Sequence, residues 1–210
     1  MFSARRKALG LASALAVLAV LGSGCTPGPQ GKTSGSTDGG TASATPSAPV
    51  TETARDGRTV LPTGESVACG LLGDDAIKST LGPVATSLQP AQPDAERTPE
   101  GVLYDSCIHA FDPDGATTNA LTVQIITYPS EQEASRADPY SLLPAAEDVA
   151  GLKHPAKYSM IPLSGSTEFV LVSVDGPRVV KFIAALPQSG AWDVAKGRES
   201  MTRLAQASGL

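Results

Sequence analysis

The sequence is short of the residues that build catalytic and metal centres. It contains two histidines, three cysteines and one tryptophan, and aromatic side chains make up 4% of the residues. Two histidines and three cysteines provide neither the usual ligand set of a zinc site nor, without a Cys-x-x-Cys pair, a redox motif. We therefore expect no metal and no cofactor, and nucleophilic catalysis would have to use one of the two histidines as its base.

A basic surface is also missing. The chain carries 16 Lys and Arg against 21 Asp and Glu, a formal net charge of −5. Residues 1–24 hold three basic residues and no acidic ones, so the remainder has 13 against 21, a charge of −8. Such a chain has no electrostatic means of holding a phosphate backbone, which excludes nucleic acid as a partner. Anionic lipid headgroups repel it as well, so attachment to a membrane requires something other than a basic face.

No apolar run is long enough to span a bilayer. The run Leu9–Leu21 is shorter than the roughly 20 residues that a transmembrane helix needs. It follows the basic segment 5–7 and is closed by small residues and Cys25, the layout of a secretory signal with a cysteine at its cleavage point. This layout resembles a bacterial lipobox. It predicts a lipoprotein signal peptide over residues 1–24, lipidation of Cys25, and a location on the outer, extracytoplasmic face of the cell membrane.

Two features of the signal leave alternatives open. An ordinary signal peptide ending near the same point would leave Cys25 as an incidental thiol. The pair Arg5-Arg6 is compatible with twin-arginine export of a folded protein, but also with general secretion of an unfolded chain. The odd cysteine favours lipidation, because Cys69 and Cys107 lie together in the later part of the chain and leave Cys25 without a use.

Residues 25–63 are predicted to form the lipidated cysteine and a disordered linker. They consist largely of Gly, Ser, Thr, Pro and Ala, and a segment with so little to bury does not offset its own ordering entropy. A flexible chain of about 37 residues has a root-mean-square span of roughly 35 Å. The linker is therefore expected to hold a folded domain away from the membrane.

The first half of the region 64–210, which has the length of one domain, mixes helix and strand patterns. Apolar spacing predicts a short helix within 73–83, with Asp74 as its N-cap and Gly82-Pro83 as its end. The Pro-rich segment 86–101 is expected to be a loop with one edge strand. Strands are predicted over 103–111 and 121–125, the second from strict alternation of apolar and polar residues.

The second half carries the clearest hairpin. Apolar runs over 169–174 and 179–183 flank Asp175-Gly176, a pattern typical of a tight β-turn. A capping box at Ser130 predicts a helix to about residue 138, another short helix is expected over 144–150, and an amphipathic helix from about residue 190 onward. Because the strands come in runs, we predict an α+β domain with an antiparallel sheet packed against a few helices.

Cys69 and Cys107 are expected to form a disulfide, because exported proteins fold in an oxidising compartment. The bridge would close a loop of about 40 residues, worth roughly 3–4 kcal/mol by chain-entropy estimates. It would join the first helix to the first core strand. A redox-active pair is the less favoured alternative, since these cysteines do not form a Cys-x-x-Cys motif.

These motifs together resemble a known family. Cys69-Gly70-Leu71-Leu72, a helix ending at Leu81-Gly82 and a second cysteine, Cys107, in a strand are similar to the DUF3558 family of actinobacterial lipoproteins. The resemblance covers about residues 65–210 together with the signal layout. It implies a lipobox, a polar linker and one DUF3558-like domain, and it implies no activity, because the family has none assigned.

The two histidines are the candidates for catalysis. His109 follows Cys107 in the predicted strand and shares a face with Asp105, so the pair is a possible acid–base couple, although a surface or half-buried histidine is the simpler expectation. His154 lies in Lys153-His154-Pro155, a predicted loop, with the same alternatives. We therefore expect a non-catalytic domain that binds an envelope ligand or a protein. The alternative is a cell-envelope hydrolase that uses His109 or His154.

Overall fold

An antiparallel sheet forms the centre of the computed structural model, which describes residues 52–53, 56–61, 66–190 and 192–210. These residues belong to one compact unit. The predicted signal peptide, Cys25 and most of the predicted linker lie outside the described residues. The strands are β1 Glu52–Thr53, β2 Thr59–Val60, β3 Gln92–Arg97, β4 Leu103–Ala110, β5 Ala120–Thr127, β6 Glu147–Asp148, β7 Ala156–Pro162, β8 Ser166–Asp175 and β9 Arg178–Pro187.

Within the described ranges, the nine strands follow the order β1-β2-β3-β4-β5-β9-β8-β7-β6, and every neighbouring pair is antiparallel. The helices are α1 Val67–Gly70, α2 Asp74–Leu81, α3 Glu131–Arg136 and α4 Val194–Ala207. The predicted α+β fold is confirmed. Two of the short strands, β1 and β2, lie inside the range that the sequence assigned to the linker. No helix in this part of the chain is long and apolar enough to cross a membrane.

Both faces of the sheet bury apolar side chains, because the run 169–172 in β8 and most positions of β9 are apolar without alternation. Phe169, Leu171 and Phe182 point toward the layer formed by α1, α2 and α4. Val170, Val172 and Val179 belong to a second cluster on the opposite face, together with Tyr140 and Leu143 from the segment after α3. The helices thus divide between the two faces of one sheet.

The first helix is fixed to the sheet through Asp105 of β4. This carboxylate is 5% exposed and accepts hydrogen bonds from Ser66 Oγ at 2.6 Å, Val67 N at 2.8 Å and Ala68 N at 3.3 Å. The disulfide between Cys69 of α1 and Cys107 of β4, with 5.0 Å between the Cα atoms, lies one step further along the same strand face. The predicted disulfide is confirmed. The carboxylate accepts hydrogen bonds from N–H groups that have no partner within the helix at its start.

Three details of the sequence-based assignment change. The N-cap of α2 is Gly73, and Asp74 is already the first helical residue. The helix predicted over 144–150 is wrong, because Glu147–Asp148 pairs with β7 as strand β6 and Ala145 has a φ of 48°. Strand β7 was not predicted, although Tyr158 and Met160 alternate with polar residues along it.

The outer strand β6 is held by α4. Arg198 Nη1 lies 2.6 Å from Glu147 Oε2, and Arg198 Nη2 donates a hydrogen bond to the carbonyl oxygen of Asp148 at 2.5 Å. Lys157 of β7 lies 3.0 Å from the carboxylate of Asp148. A strand of two residues is thereby fixed through its side chains and its backbone to a helix and to the neighbouring strand.

Gly197 allows α4 to approach the sheet closely. A Cβ atom at this position would lie 2.6 Å from Phe169 Cε1 and 2.6 Å from Tyr158 Oη. Both rings are buried, and Tyr158 Oη also donates a hydrogen bond to the carbonyl oxygen of Val194 at 3.2 Å. Neither ring can move without disturbing this contact, so the position requires a residue without a side chain.

We expect Gly197→Ala to lower the free energy of unfolding by about 1–3 kcal/mol, the usual cost of overpacking a core. The loss outweighs the helix preference of Ala over Gly, which is about 1 kcal/mol. Gly70→Ala is the matched control, because a Cβ there meets no atom within 4 Å. Urea unfolding of both variants checks the prediction. Unchanged stability of Gly197→Ala would contradict it.

Candidate functional site

A cavity of about 500 Å³ lies between α3 and the turn that joins β8 to β9. Helix α3 begins at the Ser130 N-cap, whose Oγ accepts a hydrogen bond from Glu133 N at 3.3 Å, as the capping box predicts. The lining residues come from three separate parts of the chain: Glu131, Ala134, Ser135, Asp138, Pro139, Tyr140, His154, Pro155, Val174, Asp175 and Gly176. The cavity is on the sheet face opposite α1 and the disulfide.

His154 and Asp175 form an ion-pair contact in the cavity wall. Nδ1 of His154 lies 3.4 Å from Oδ1 of Asp175, and 33% of the histidine side chain is exposed. Asp175 ends β8 and pairs with Arg178 across the turn, while His154 lies just before β7. The hairpin therefore fixes the carboxylate, which lies next to one nitrogen of the imidazole ring.

Tyr140 forms an aromatic part of the wall. Its Oη donates a hydrogen bond to the carbonyl oxygen of Pro155 at 3.0 Å, and Lys157 Nζ lies 5.7 Å from the ring centroid. Burial raises the pKa of Tyr140, and the negative charge of Asp148 raises it further. The phenol thus stays protonated at neutral pH and remains a hydrogen-bond donor.

The backbone turns sharply where α3 ends. Asp138 has a φ of 43°, in the left-handed region that aspartate tolerates better than most residues. Its carbonyl oxygen accepts hydrogen bonds from Ser141 N at 3.0 Å and Ser141 Oγ at 2.8 Å. This turn brings Pro139 and Tyr140 back over the sheet and so completes the cavity.

The wall carries more negative than positive charge. Three carboxylates, those of Glu131, Asp138 and Asp175, face one histidine. Among the described residues, neither Glu131 nor Asp138 takes part in an ion pair. The arrangement suits a ligand with an apolar body and a positively charged or hydrogen-bond-donating group.

Two further cavities in the described part of the chain are less suited to a ligand. One of about 650 Å³ lies on the outer side of α4, where its charged side chains already pair with each other, as Arg203 does with Glu199 at 2.7 Å. The other, of about 210 Å³, lies beside Pro144 and Met160. In the described part of the chain, no group of three or more His, Cys, Asp or Glu residues is placed to hold a metal ion.

His109 lies on the opposite face of the sheet from the cavity. It is 1% exposed, so the expectation of a surface or half-buried side chain is wrong. Its Nε2 lies 3.4 Å from Cys107 Sγ, and its Nδ1 has no hydrogen-bond partner among the described residues. The acid–base couple with Asp105 does not form, because four residues of strand separate the two by about 13 Å and Asp105 binds α1.

The sequence points to His154 but not to the residues around it. Asp175-Gly176 has the pattern of a turn, and no motif marks Tyr140 as a site residue. The cavity joins segments that are far apart in sequence, and no periodicity or motif links them. The Asp-Gly turn was the one usable signal, since it predicts that the carboxylate lies at the end of a hairpin.

Comparison with known protein families finds no match to this chain, and no curated protein matches it. The resemblance to the DUF3558 family therefore stays a prediction from its sequence motifs.

We expect stability to fall as the pH is lowered from 7.5 to 5.5, because burial depresses the pKa of His109 below its ordinary value of 6.5, although the charge of Asp74 opposes the shift. The unfolded chain then binds the proton more readily than the native one, so stability is lost below the unfolded pKa. The slope from one such group is at most about 1.4 kcal/mol per pH unit.

Urea unfolding at several pH values checks this prediction. His109→Gln should flatten the dependence. An equal slope in the parent and in His109→Gln would contradict the assignment.

Proposed function

We propose that this protein is a lipid-anchored lipoprotein of the extracytoplasmic membrane face, whose domain binds a small envelope ligand without catalysing its conversion. The observation that carries the proposal is the cavity beneath α3. Its volume of about 500 Å³ falls within the range of roughly 300–1,000 Å³ that is usual for small-molecule sites. Proline, alanine, valine and tyrosine side chains provide apolar wall, and three carboxylates, a serine and a histidine provide polar groups.

The charge of the cavity indicates the chemical class of the ligand. Glu131 and Asp138 lie in the wall with Asp175, and only the last is paired with a histidine. A ligand with an amine or another donor group beside an apolar body would replace water at these carboxylates and at the same time cover Tyr140. An anionic ligand would meet like charge at each of them.

The anchoring part of the proposal is supported by the sequence. The basic segment 5–7, the apolar run Leu9–Leu21 and Cys25 have the order of a lipoprotein signal. The charge of −8 after residue 24 leaves the lipid as the means of attachment. The resemblance to the DUF3558 family agrees with a lipobox, a linker and one domain.

The second candidate function is a hydrolase that uses His154. One observation favours it: Asp175 lies beside Nδ1 of His154, which leaves Nε2 free to accept a proton, and Ser135 lines the same cavity. No hydrogen bond joins Ser135 to His154 among the described residues, which is why binding is preferred. Ester hydrolysis that disappears in both Ser135→Ala and His154→Ala would favour the enzyme.

Lipidation of Cys25 predicts that Cys25→Ser releases the protein from the membrane into the medium. The thioether-linked lipid is the proposed source of membrane affinity, since the net charge of the chain is negative. Fractionation of cells expressing either form, followed by immunoblotting, measures the distribution. Cys25→Ala is a second variant without the thiol and should behave in the same way. Undiminished membrane retention of both would refute the anchor.

A large side chain introduced into the cavity should prevent the ligand from binding. Ser135 is an exposed residue of α3 at the cavity, so we expect Ser135→Trp to occupy the ligand volume while the domain stays folded. Native mass spectrometry of protein gently extracted from its own membrane should show a bound small molecule on the parent and at least tenfold less on the variant.

Ala195→Trp is the matched control, because Ala195 is an exposed helical residue at the cavity beside α4. It should keep the ligand. Retention of the ligand by Ser135→Trp would show that the ligand binds outside this cavity. A co-purifying protein in place of a small molecule would make the domain a partner-binding module.

A further inference from the structure

The two ends of the disulfide differ in their exposure to solvent. Cys107 is 0% exposed in the middle of β4, whereas Cys69 is only partly buried. Cys69 belongs to α1, a helix of four residues at the surface of the domain. A thiol from solvent therefore meets Cys69 first, and Cys107 is the sulfur that would leave.

A buried histidine lies next to the inner sulfur. Nε2 of His109 is 3.4 Å from Cys107 Sγ, while Nδ1 has no partner in the described part of the chain. A disulfide sulfur is a weak hydrogen-bond acceptor, but a thiolate is a charged one, so an N–H group beside it favours the reduced state over the oxidised state. An unpaired histidine in an apolar core is otherwise costly.

Other charged groups around the pair are few. Burial lowers the pKa of His109, and Asp74 at the start of α2 is the carboxylate that opposes this shift. Asp105, two residues before Cys107, is bound to α1 through Ser66 and Val67. His109 is thus the side chain placed to donate a hydrogen bond to the negative charge that would develop on Cys107 Sγ.

We propose that the Cys69–Cys107 disulfide is a site of thiol–disulfide exchange, at which a dithiol reductant attacks Cys69 and His109 stabilises the departing Cys107 thiolate. The disulfide is the substrate of this reaction and needs no Cys-x-x-Cys motif of its own. The reducing partner is defined by its chemistry, a pair of adjacent thiols.

The exchange has two steps. One thiolate of the reductant attacks Cys69 Sγ, a mixed disulfide forms, and the electron pair of the broken bond leaves on Cys107 Sγ beside Nε2 of His109. The second thiolate attacks the reductant's own sulfur in the mixed disulfide and releases Cys69. Two electrons pass to the protein and the reductant becomes a disulfide. One of its two thiol protons ends on Cys69 and the other is released to solvent, so Cys107 remains a thiolate beside Nε2 of His109.

The test uses the full chain with Cys25→Ser, which leaves Cys69 and Cys107 as its only cysteines. The protein is equilibrated with mixtures of reduced and oxidised dithiothreitol, free thiols are alkylated, and mass spectrometry gives the reduced fraction. His109→Leu removes both ring nitrogens, so we expect it to need about tenfold more reduced dithiothreitol, the scale of one hydrogen bond to a charged group. His109→Gln retains an N–H donor and should fall between the two.

Leu121→Val is the control for packing. Leu121 is the buried neighbour of His109 on β5, and its side chain has no hydrogen-bond donor that could stabilise a thiolate. The variant should leave the equilibrium within about twofold of the parent. Circular dichroism of each oxidised protein checks folding, and His109→Gln decides the outcome if His109→Leu does not fold. Equal equilibria for His109→Gln, His109→Leu and the parent would overturn the proposal, as would an equal shift in Leu121→Val.

The direction of attack is tested separately with a monothiol. Brief exposure to glutathione, acid quenching and peptide mapping should place the mixed disulfide on Cys69. Glutathione found mainly on Cys107 would overturn the assignment of the two sulfurs.

Discussion

The buried carboxylate of Asp105 is the constraint on which the helical layer depends. Three donors at the start of α1 converge on it, so one side chain of the sheet replaces the partners that the first turn of a helix lacks. Removing it would leave the buried N–H group of Ala68 without an acceptor, at a cost of roughly 1–3 kcal/mol, and the less buried donors of Ser66 and Val67 would turn to water. The disulfide alone would hold α1 at one point, and the carboxylate fixes its direction.

The two faces of the sheet differ in the size of the core that they bury and in the sites that they carry. The face under α1, α2 and α4 holds the large core, the disulfide and His109. The other face has a smaller core and the cavity formed with α3. A ligand bound in this cavity contacts the hairpin β8–β9, whose alternate residues reach the large core. The cavity therefore rests on the most extensively paired strands of the domain, which limits its deformation when it is empty.

The sequence was sufficient for elements that carry local signals and insufficient for those made by tertiary contact. The hairpin around Asp175-Gly176 and the helix after Ser130 follow from turn and capping residues, and both were predicted. Residues 144–150 have good helix formers, but pairing of Glu147 and Asp148 with β7 overrides this preference. The burial of His109 depends on the helical layer that covers β4 from α1 onward, and the cavity depends on three distant segments. Neither the burial of His109 nor the cavity produces a repeating pattern that could be recognised in a single sequence.

Arg198 also affects how open one edge of the sheet is to pairing with a second copy of the chain. A sheet that ends in an open strand offers its backbone to the next molecule, which is how strands add across chains and form aggregates. At β6 the carbonyl oxygen of Asp148 is already occupied by the guanidinium group, and the strand is two residues long and acidic. A second copy finds little backbone to pair with and meets like charge. The ion pair thus protects this edge of the sheet from self-association, as well as holding a strand in place.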